Sequence, residues 1–136
     1  MRKNVEHPDW YTNVDGIECK DINGHLNYNL GCAVKYIWRA GAKEDIVLDY
    51  EKAIQYLKFE IERVEKLWFF IHRNNPISDE LIKKLLDSKM ELYKKYIVLC
   101  IIKANNLFGK KKYIKTLLGI IFSVSMEIGE LRIKKL

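Results

Sequence analysis

Residues 48–71 read LDYEKAIQYLKFEIERVEKLWFFI, and this stretch decides the fold class. Apolar side chains recur in it every three or four residues, which is the spacing of one face of an α-helix. The repeating positions are Tyr50, Ala53, Ile54, Leu57, Ile61, Val64 and Trp68. Asp45 stands at a position suited to an N-cap, and Asn74, Asn75 and Pro76 end the pattern. The stretch therefore predicts one long amphipathic helix.

Helical spacing is also present upstream of this segment. A stripe formed by Leu30, Val34 and Ile37 predicts a helix from Asn29 to Ala40, which Gly41 terminates. Residues 1–28 are rich in turn formers and predict an irregular segment. Within it we expect only a short helical turn around residues 18–22, which Gly24 ends.

Two further helices are predicted downstream. Ser78 is suited to cap the third helix, and a fourth helix covers about residues 111–134. The apolar stripe of the third helix consists of Ile82, Leu86, Met90, Tyr93, Ile97, Ile101, Ala104 and Phe108. Residues 96–102 and 117–124 are apolar on nearly all sides, so we expect a homo-oligomer in which another subunit covers part of them.

The composition agrees with a helical protein. Seven glycines and two prolines in 136 residues leave little room for the many tight turns of an all-β fold. Apolar residues make up 49% of the chain and charged residues 31%, which is typical of a globular protein. We predict an all-α fold, with a short irregular N-terminal segment plus one short and three long helices. These helices form a bundle in a single domain, residues 1–136.

The charge is unevenly distributed along the chain. Residues 1–68 carry a net charge of −2, whereas residues 69–136, a basic helical extension, carry +8. Lysines at helical spacing are typical of solvated helix faces, but a basic surface also suits nucleic acid or an acidic partner. The run at 110–112 and Lys115 could contact phosphates, although few aromatic residues suited to base stacking lie near them. Nucleic-acid binding is therefore a less favoured hypothesis.

The cysteine count and the hydropathy predict a cytoplasmic protein with no membrane partner. Three cysteines with no C-x-x-C pair and an N-terminus without an apolar segment favour a reducing compartment. The longest uncharged run, residues 116–126, is far shorter than the roughly 20 residues of a spanning helix. The residues that could in principle bind zinc match no standard spacing of zinc ligands, so we predict no metal site. They are His7, Cys19, His25 and Cys32.

A row of cations on the first long helix is the strongest candidate for a binding site. Lys35 and Arg39 are one helical turn apart, and Lys43 follows Gly41, where the chain can fold back toward them. Arg and Lys together suit a phosphate group, although a solvated helix face has the same pattern. Trp38 could stack on a nucleobase or pack in the core. No Walker-type, G-x-G-x-x-G, G-x-S-x-G or H-E-x-x-H motif accompanies the row.

The second helix carries three polar residues that could support this row. Asp49, Lys52 and Tyr56 follow one another at three- and four-residue spacing. One interpretation is a surface ion pair of little energetic value. The other is that Asp49 holds Arg39 or Lys35 in place.

Four segments together resemble a known family. They read EHPDWY at residues 6–11, GIEC at 16–19 with Asp21 after it, NLGCAVKYIWRAGAK at 29–43, and DYEKAIQYLKFEIERV at 49–64. This region, about residues 6–64, resembles small phage proteins first grouped as a domain of unknown function. That group includes the SaV-like proteins of lactococcal phages and a podoviral nucleotide kinase without a P-loop. The matching positions are His7, Pro8, Tyr11, Gly16, Ile17, Glu18, Asp21, Asn29, Gly31, Ala33, Lys35, Tyr36, Trp38, Arg39, Gly41, Lys43, Asp49, Lys52, Ala53, Tyr56 and Leu57.

The resemblance implies a phage-encoded nucleotide-binding protein in the host cytoplasm, with deoxynucleoside monophosphate kinase activity as one hypothesis. Lys35, Arg39 and Lys43 would hold phosphate, and Tyr11 or Trp38 would contact the base. Glu18 or Asp49 would orient the acceptor or bind a metal such as Mg²⁺ that enters with the nucleotide. His7, Lys52 and Tyr56 complete the expected ligand-binding set. The alternative hypothesis is a non-enzymatic counter-defence protein, which would sequester a nucleotide signal or inhibit a host defence protein.

Overall fold

Six α-helices and the short segments that join them lie in the parts of the chain that the structure describes, which are residues 6–7, 16–67 and 77–136 of a computed structural model. The helices are α1 (Cys19–Asn23), α2 (Tyr28–Arg39), α3 (Ile46–Glu65), α4 (Asp79–Asp87), α5 (Leu92–Asn105) and α6 (Lys110–Lys134). No β-strand occurs within these described ranges. The all-α prediction is therefore confirmed, and α1 corresponds to the short turn expected around residues 18–22. The one short and three long helices predicted after it are five in the described structure.

Polar side chains start three of these helices. Oδ1 of Asp45 accepts from the backbone N–H of Val47 at 2.7 Å at the start of α3, as predicted. Oγ of Ser78 caps α4 in the same way. α2 begins earlier than predicted, because Asn27 rather than Asn29 caps it and accepts from Leu30 N at 3.0 Å.

α2 and α3 form an antiparallel hairpin, because the loop at residues 40–45 returns the chain along α2. Arg39 lies beside Asp49 near this loop, whereas Tyr28 lies beside Tyr56 farther along both helices. Gly41 has a φ of +83°, in the left-handed region that favours glycine, which explains why a glycine follows α2. The apolar interface of the hairpin includes Leu30, Ala33, Val34, Ile37, Tyr50, Ala53 and Leu57, all of them buried.

α5 and α6 complete the bundle around this hairpin. α6 runs antiparallel to α3, since Tyr113 meets Glu60 at one end and Arg132 meets Glu51, 3.8 Å apart, near the other. α5 packs against both α2 and α6, and Nζ of its Lys94 donates to the carbonyl of Ala40 at 2.7 Å. Burial lowers the pKa of Lys94, although the carboxylates of Glu91 and Asp49 oppose this.

The prediction of one continuous third helix is wrong, because the chain forms two helices, α4 and α5, with a break at Ser88. Ser88 has extended backbone (ψ 164°), and its hydroxyl donates to the carbonyl of Leu85 at 2.7 Å. Nζ of Lys95 donates to the carbonyls of Leu86 and Ser88, so the turn between α4 and α5 is stabilised by polar contacts. The break also shifts the buried face, since Leu85 is fully buried while Leu86 of the predicted stripe is 50% exposed.

Other sequence expectations have mixed outcomes. Phe108, the last residue of the predicted stripe, is 78% exposed because it follows the end of α5. Trp68 and the predicted end of the second helix at residue 71 lie outside the described residues. Of the two apolar stretches, residues 97, 98, 101 and 102 are buried, whereas Tyr96, Leu118 and Phe122 are exposed. None of the helices described is long and apolar enough to cross a membrane.

Candidate functional site

Three cationic side chains surround the ring of one tyrosine on the α2–α3 hairpin. Nζ of Lys35 lies 4.7 Å from the ring centroid of Tyr36, Cζ of Arg39 lies 4.6 Å from it, and Nζ of Lys52 lies 5.4 Å from it. The ring of Tyr56 stacks on Tyr36 with centroids 5.7 Å apart and an angle of 16° between the planes. We call Lys35, Tyr36, Arg39, Lys52 and Tyr56 the cation–tyrosine cluster.

Helical spacing explains why this cluster forms. Tyr36 and Arg39 are three residues apart on α2, and Lys52 and Tyr56 are four apart on α3, so each pair shares one face of its helix. The antiparallel hairpin brings these two faces together. Such cation–π contacts contribute about 0.5–1 kcal/mol each at exposed sites, so their geometry is more informative than their strength.

Two further aromatic rings extend the cluster along the helices. Tyr28 meets Tyr56 edge-on, with centroids 6.0 Å apart, and Phe59 meets it edge-on at 5.7 Å. Tyr28 is mostly exposed. Flat aromatic surfaces beside cations are the combination that proteins use to stack nucleobases while binding phosphate.

The nearby carboxylates each pair with one cation of the cluster. Nη2 of Arg39 lies 3.4 Å from Oδ1 of Asp49, and both side chains are buried. Asp49 thus contacts Arg39, one of the two cations that it was expected to hold in place, whereas Lys52 pairs with Glu44 at 2.7 Å. The hydrogen bond between them lowers the pKa of Glu44 and raises that of Lys52. Within the part of the chain that the structure describes, Oδ2 of Asp49 is buried and accepts no hydrogen bond.

Positive charge exceeds negative charge at the cluster itself. Residues 35–52 carry four positive and four negative charges, but two of the carboxylates, Asp45 and Glu51, pair with Lys135 and Arg132 near the C-terminal end of α6, which leaves Glu44 and Asp49 against the four cations. Lys43 is exposed in the loop that follows α2, adjacent in sequence to Glu44. A surplus of two positive charges around partly exposed side chains suits an anion.

A cleft of about 270 Å³ between α1 and α2 adjoins the cluster, and Lys35 belongs to both. Its other lining residues are Asn23, Leu26, Asn27, Tyr28, Gly31 and Cys32. Gly31 permits close packing here, since a Cβ atom on it would lie 3.1 Å from the carbonyl oxygen of Asn23. The charge of Lys35 also acts on Cys19, but burial dominates and raises the pKa of that thiol to about 12. Burial thus disfavours the thiolate of Cys19, the form in which a cysteine acts as a nucleophile.

The remaining predicted site residues lie in other places. Nδ1 of His7 lies 2.7 Å from Oε1 of Glu18, and the backbone N–H of Glu18 donates to Asp21 at 2.8 Å, at the start of α1. Tyr11 lies outside the described residues. Trp38 is 3% exposed and belongs to the core, so its ring offers no face to a nucleobase in this conformation. Tyr36, which the resemblance matched but the site prediction omitted, occupies the centre instead.

A second polar cluster, which the sequence did not predict, surrounds the fully buried Glu60. Its carboxylate accepts from Nδ2 of Asn27 at 2.9 Å and of Asn29 at 3.3 Å. Arg63 donates to it through Nε at 2.7 Å and Nη2 at 2.9 Å, and the hydroxyl of Tyr113 donates at 2.5 Å. We call these five residues the Glu60 cluster.

Electrostatics favour the ionised form of Glu60. Burial is the largest effect and raises its pKa, but the hydrogen bonds from Arg63 and Tyr113 outweigh it, so the net pKa is lowered. Burial and the adjacent carboxylate raise the pKa of the Tyr113 hydroxyl, which therefore stays protonated. Both carboxylate oxygens of Glu60 are occupied, so this cluster joins α2, α3 and α6. The sequence contained one signal, since Ala53, Leu57, Glu60 and Val64 follow the spacing of the buried face.

No group of three or more His, Cys, Asp or Glu side chains that could hold a metal ion occurs in residues 6–7, 16–67 and 77–136. Comparison of the chain with protein-family models, curated proteins and solved structures returned no match in any of the three.

Proposed function

We propose that this chain is a nucleotide-binding protein and that the cation–tyrosine cluster is its binding site. The observation that carries the proposal is the convergence of Lys35, Arg39 and Lys52 on the ring of Tyr36, with Tyr56 stacked behind it. Solvated helix faces place lysines at the same spacing, but they do not gather three cations around one aromatic ring.

The phosphate would bind to the cations of the cluster. Arg39 is buried and contacts Asp49, so its guanidinium is held in position before any ligand arrives. Lys35 and Lys52 are only partly buried and can turn toward a ligand. A phosphate monoester carries a charge of about −1.5 to −2 at neutral pH, which matches the surplus of two positive charges.

The nucleoside would occupy the cleft between α1 and α2. A volume of about 270 Å³ lies just below the roughly 300–1,000 Å³ of most ligand pockets, so the cleft suits at most one nucleoside rather than a dinucleotide. Lys35 lies at the junction of cleft and cluster, where a 5′-phosphate would follow the sugar. Tyr28 lines the cleft and is exposed, so it replaces Trp38 as the candidate for stacking on the base.

The geometry supports binding more directly than phosphoryl transfer. Glu44 and Asp49, the carboxylates of the cluster region, pair with Lys52 and Arg39, so neither is poised as a base toward the cleft. This arrangement favours a protein that holds a nucleotide, as a sequestering counter-defence protein would. The resemblance of residues 29–43 to a phage nucleotide kinase keeps deoxynucleoside monophosphate phosphorylation as the second candidate.

Isothermal titration calorimetry with deoxynucleoside monophosphates, cyclic nucleotides and inorganic phosphate tests the proposal, with and without Mg²⁺. We expect a nucleotide to bind and Lys52→Gln to weaken it roughly fivefold, as expected for one partly exposed charge contact. Lys58→Gln is the matched control, because Lys58 is an exposed lysine of the same helix outside the cluster. Absence of binding at millimolar ligand, or equal affinity in both variants, would disprove the proposed site.

Chromatography of the ligand after release separates the two candidates. A sequestering protein returns the nucleotide unchanged, even when a nucleoside triphosphate is added as phosphoryl donor. A kinase converts the monophosphate into a diphosphate and loses this activity in Arg39→Ala. Binding without turnover leaves the site in place and rejects only the kinase.

A further inference from the structure

The outer surface of α6 carries a second apolar stripe that no part of the described chain covers. Leu118, Phe122, Met126 and Ile133 are each more than half exposed. The opposite face of the same helix, with Tyr113, Leu117, Ile120, Val124 and Ile128, is buried in the core. A helix that is apolar on two opposite faces normally buries both of them.

The stripe is arranged symmetrically around Phe122. At 100° per residue, Met126 and Gly119 fall on one side of Phe122, and Leu118 and Ser125 fall on the other. Each side therefore carries a large residue four positions from Phe122 and a small residue three positions from it, in opposite directions along the chain. A Cβ atom on Gly119 would have no neighbour within 4 Å, so the space above it is open.

We infer that α6 pairs with α6 of a second copy of this chain, antiparallel, about a twofold axis that passes beside Phe122. This symmetry places each flank of the stripe against the same flank of the other copy, with the chain running in the opposite direction. A residue that follows Phe122 in one copy therefore meets a residue that precedes Phe122 in the other. Met126 then packs over Gly119 of the second copy, Leu118 packs over Ser125, and the two Phe122 rings meet at the centre. Large residues fill the spaces above small ones, as in knobs-into-holes packing.

A groove between α5 and α6 provides the site for Met126 of the second copy. Its volume is about 340 Å³, and it is lined by Tyr96, Ile97, Cys100, Lys103, Thr116, Gly119, Ile120 and Ser123. Gly119 thus belongs both to the groove and to the side of the stripe on which Met126 lies. A flexible thioether suits such a groove, because methionine fills irregular spaces well.

Charge and area also favour a second copy as the occupant. Lys115 lies seven residues before Phe122 and Glu130 eight residues after it, so the antiparallel pair brings Lys115 close to Glu130 of the other subunit. The stripe, together with Leu92 and Tyr96 of α5, exposes on the order of 750 Å² of large apolar residues, at roughly 200 Å² for each complete residue. A stable interface requires about 800 Å² from each partner, which the flanking polar residues complete.

Sedimentation equilibrium of the full chain between about 1 and 200 μM tests the pairing. We expect a mass of twice 16.1 kDa at the upper concentrations, and a monomer for Phe122→Asp at every concentration. Phe108→Asp is the control, since Phe108 is also an exposed phenylalanine but lies outside α6, and it should leave the dimer intact. A monomeric wild type, or a Phe122→Asp variant that still dimerises, overturns the inference.

Charge exchange tests the antiparallel register. Lys115→Glu should raise the dissociation constant of the dimer several-fold, and adding Glu130→Lys to it should restore the wild-type value. A double variant as weak as the single one overturns the antiparallel pairing. Sedimentation with anionic phospholipid vesicles tests whether a lipid surface covers the apolar stripe of α6 instead. A chain that binds vesicles but remains monomeric in solution also overturns the pairing of two copies.

Discussion

Replacing Glu60 by Gln tests whether the Glu60 cluster stabilises the bundle. The substitution keeps the shape of the side chain but removes the charge, and it places an amide N–H₂ where the carboxylate accepts from Arg63 or Tyr113. One buried donor then lacks an acceptor, and the charge-assisted bonds to Arg63 are lost. A hydrogen bond to a charged group contributes about 1.5–3 kcal/mol and an unsatisfied buried donor costs about 1–3 kcal/mol, so we expect a loss of about 3 kcal/mol.

Urea denaturation at one protein concentration, followed by circular dichroism, measures this loss. With a slope of about 1.5–2 kcal/mol per molar urea for a chain of this size, the midpoint should fall by roughly 1.5–2 M. Glu62→Gln makes the same chemical change two residues away on an exposed position of α3, and it should change the stability by less than about 0.5 kcal/mol. Equal midpoints for the two variants would refute the argument.

A double-mutant cycle and a pH series make the test sharper. Glu60→Gln and Tyr113→Phe should be strongly non-additive, because both remove the hydrogen bond that joins α3 to α6. The folded-state pKa of Glu60 lies below the ordinary value of about 4.3, so its contribution is complete above that pH and declines as the pH falls through the lowered pKa. The stability difference between wild type and Glu60→Gln should therefore shrink below about pH 4.3.

Two further predictions concern the rest of the bundle. Lys94→Met keeps the alkyl chain but removes the donor to the carbonyls of Trp38 and Ala40. Urea denaturation should therefore show that the free energy of unfolding falls by about 1–2 kcal/mol. An unchanged midpoint would show that these hydrogen bonds do not stabilise the end of α2. Cys19→Ser should not change the number of thiols that react with Ellman's reagent in the native protein at pH 8, because burial raises the pKa of Cys19 to about 12; a loss of one reactive thiol would contradict this.

The fold class could be predicted because periodicity reports directly on the core. Asp45 and Ser78 cap their helices as expected, and the stripe of Leu30, Val34 and Ile37 is fully buried. The break at Ser88 could not be predicted in this way. Apolar residues keep helical spacing through residues 82–93, so the pattern shows no break. The turn depends instead on hydrogen bonds from Ser88 and Lys95 to backbone carbonyls.

The candidate site was predicted in part for the same reason. Helical spacing placed Lys35 and Arg39 on one face, and the same spacing puts Tyr36 beside Arg39, but only the pairing of α2 with α3 shows that Lys52 joins them. Trp38 could not be assigned from spacing alone, because the same position suits both a core residue and a stacking surface. Glu60 was missed because a carboxylate on an amphipathic helix is normally read as part of its exposed face.

The two buried carboxylates of α3 have a consequence for how the proposed binding site would respond to a ligand. Asp49 and Glu60 are eleven residues apart, close to three full turns or about 16 Å, and they hold opposite ends of α2 through Arg39 and Asn27. A slide of α2 by one turn, about 5.4 Å, would separate the buried Asp49 from Arg39 and would remove the amide donors of α2 from Glu60, which would keep only Arg63 and Tyr113. The register of the hairpin is thus locked at two points, with Tyr36 between them. A nucleotide at the proposed site would meet a preorganised frame and reorder only the side chains of lysines, which would keep the entropic cost of binding small.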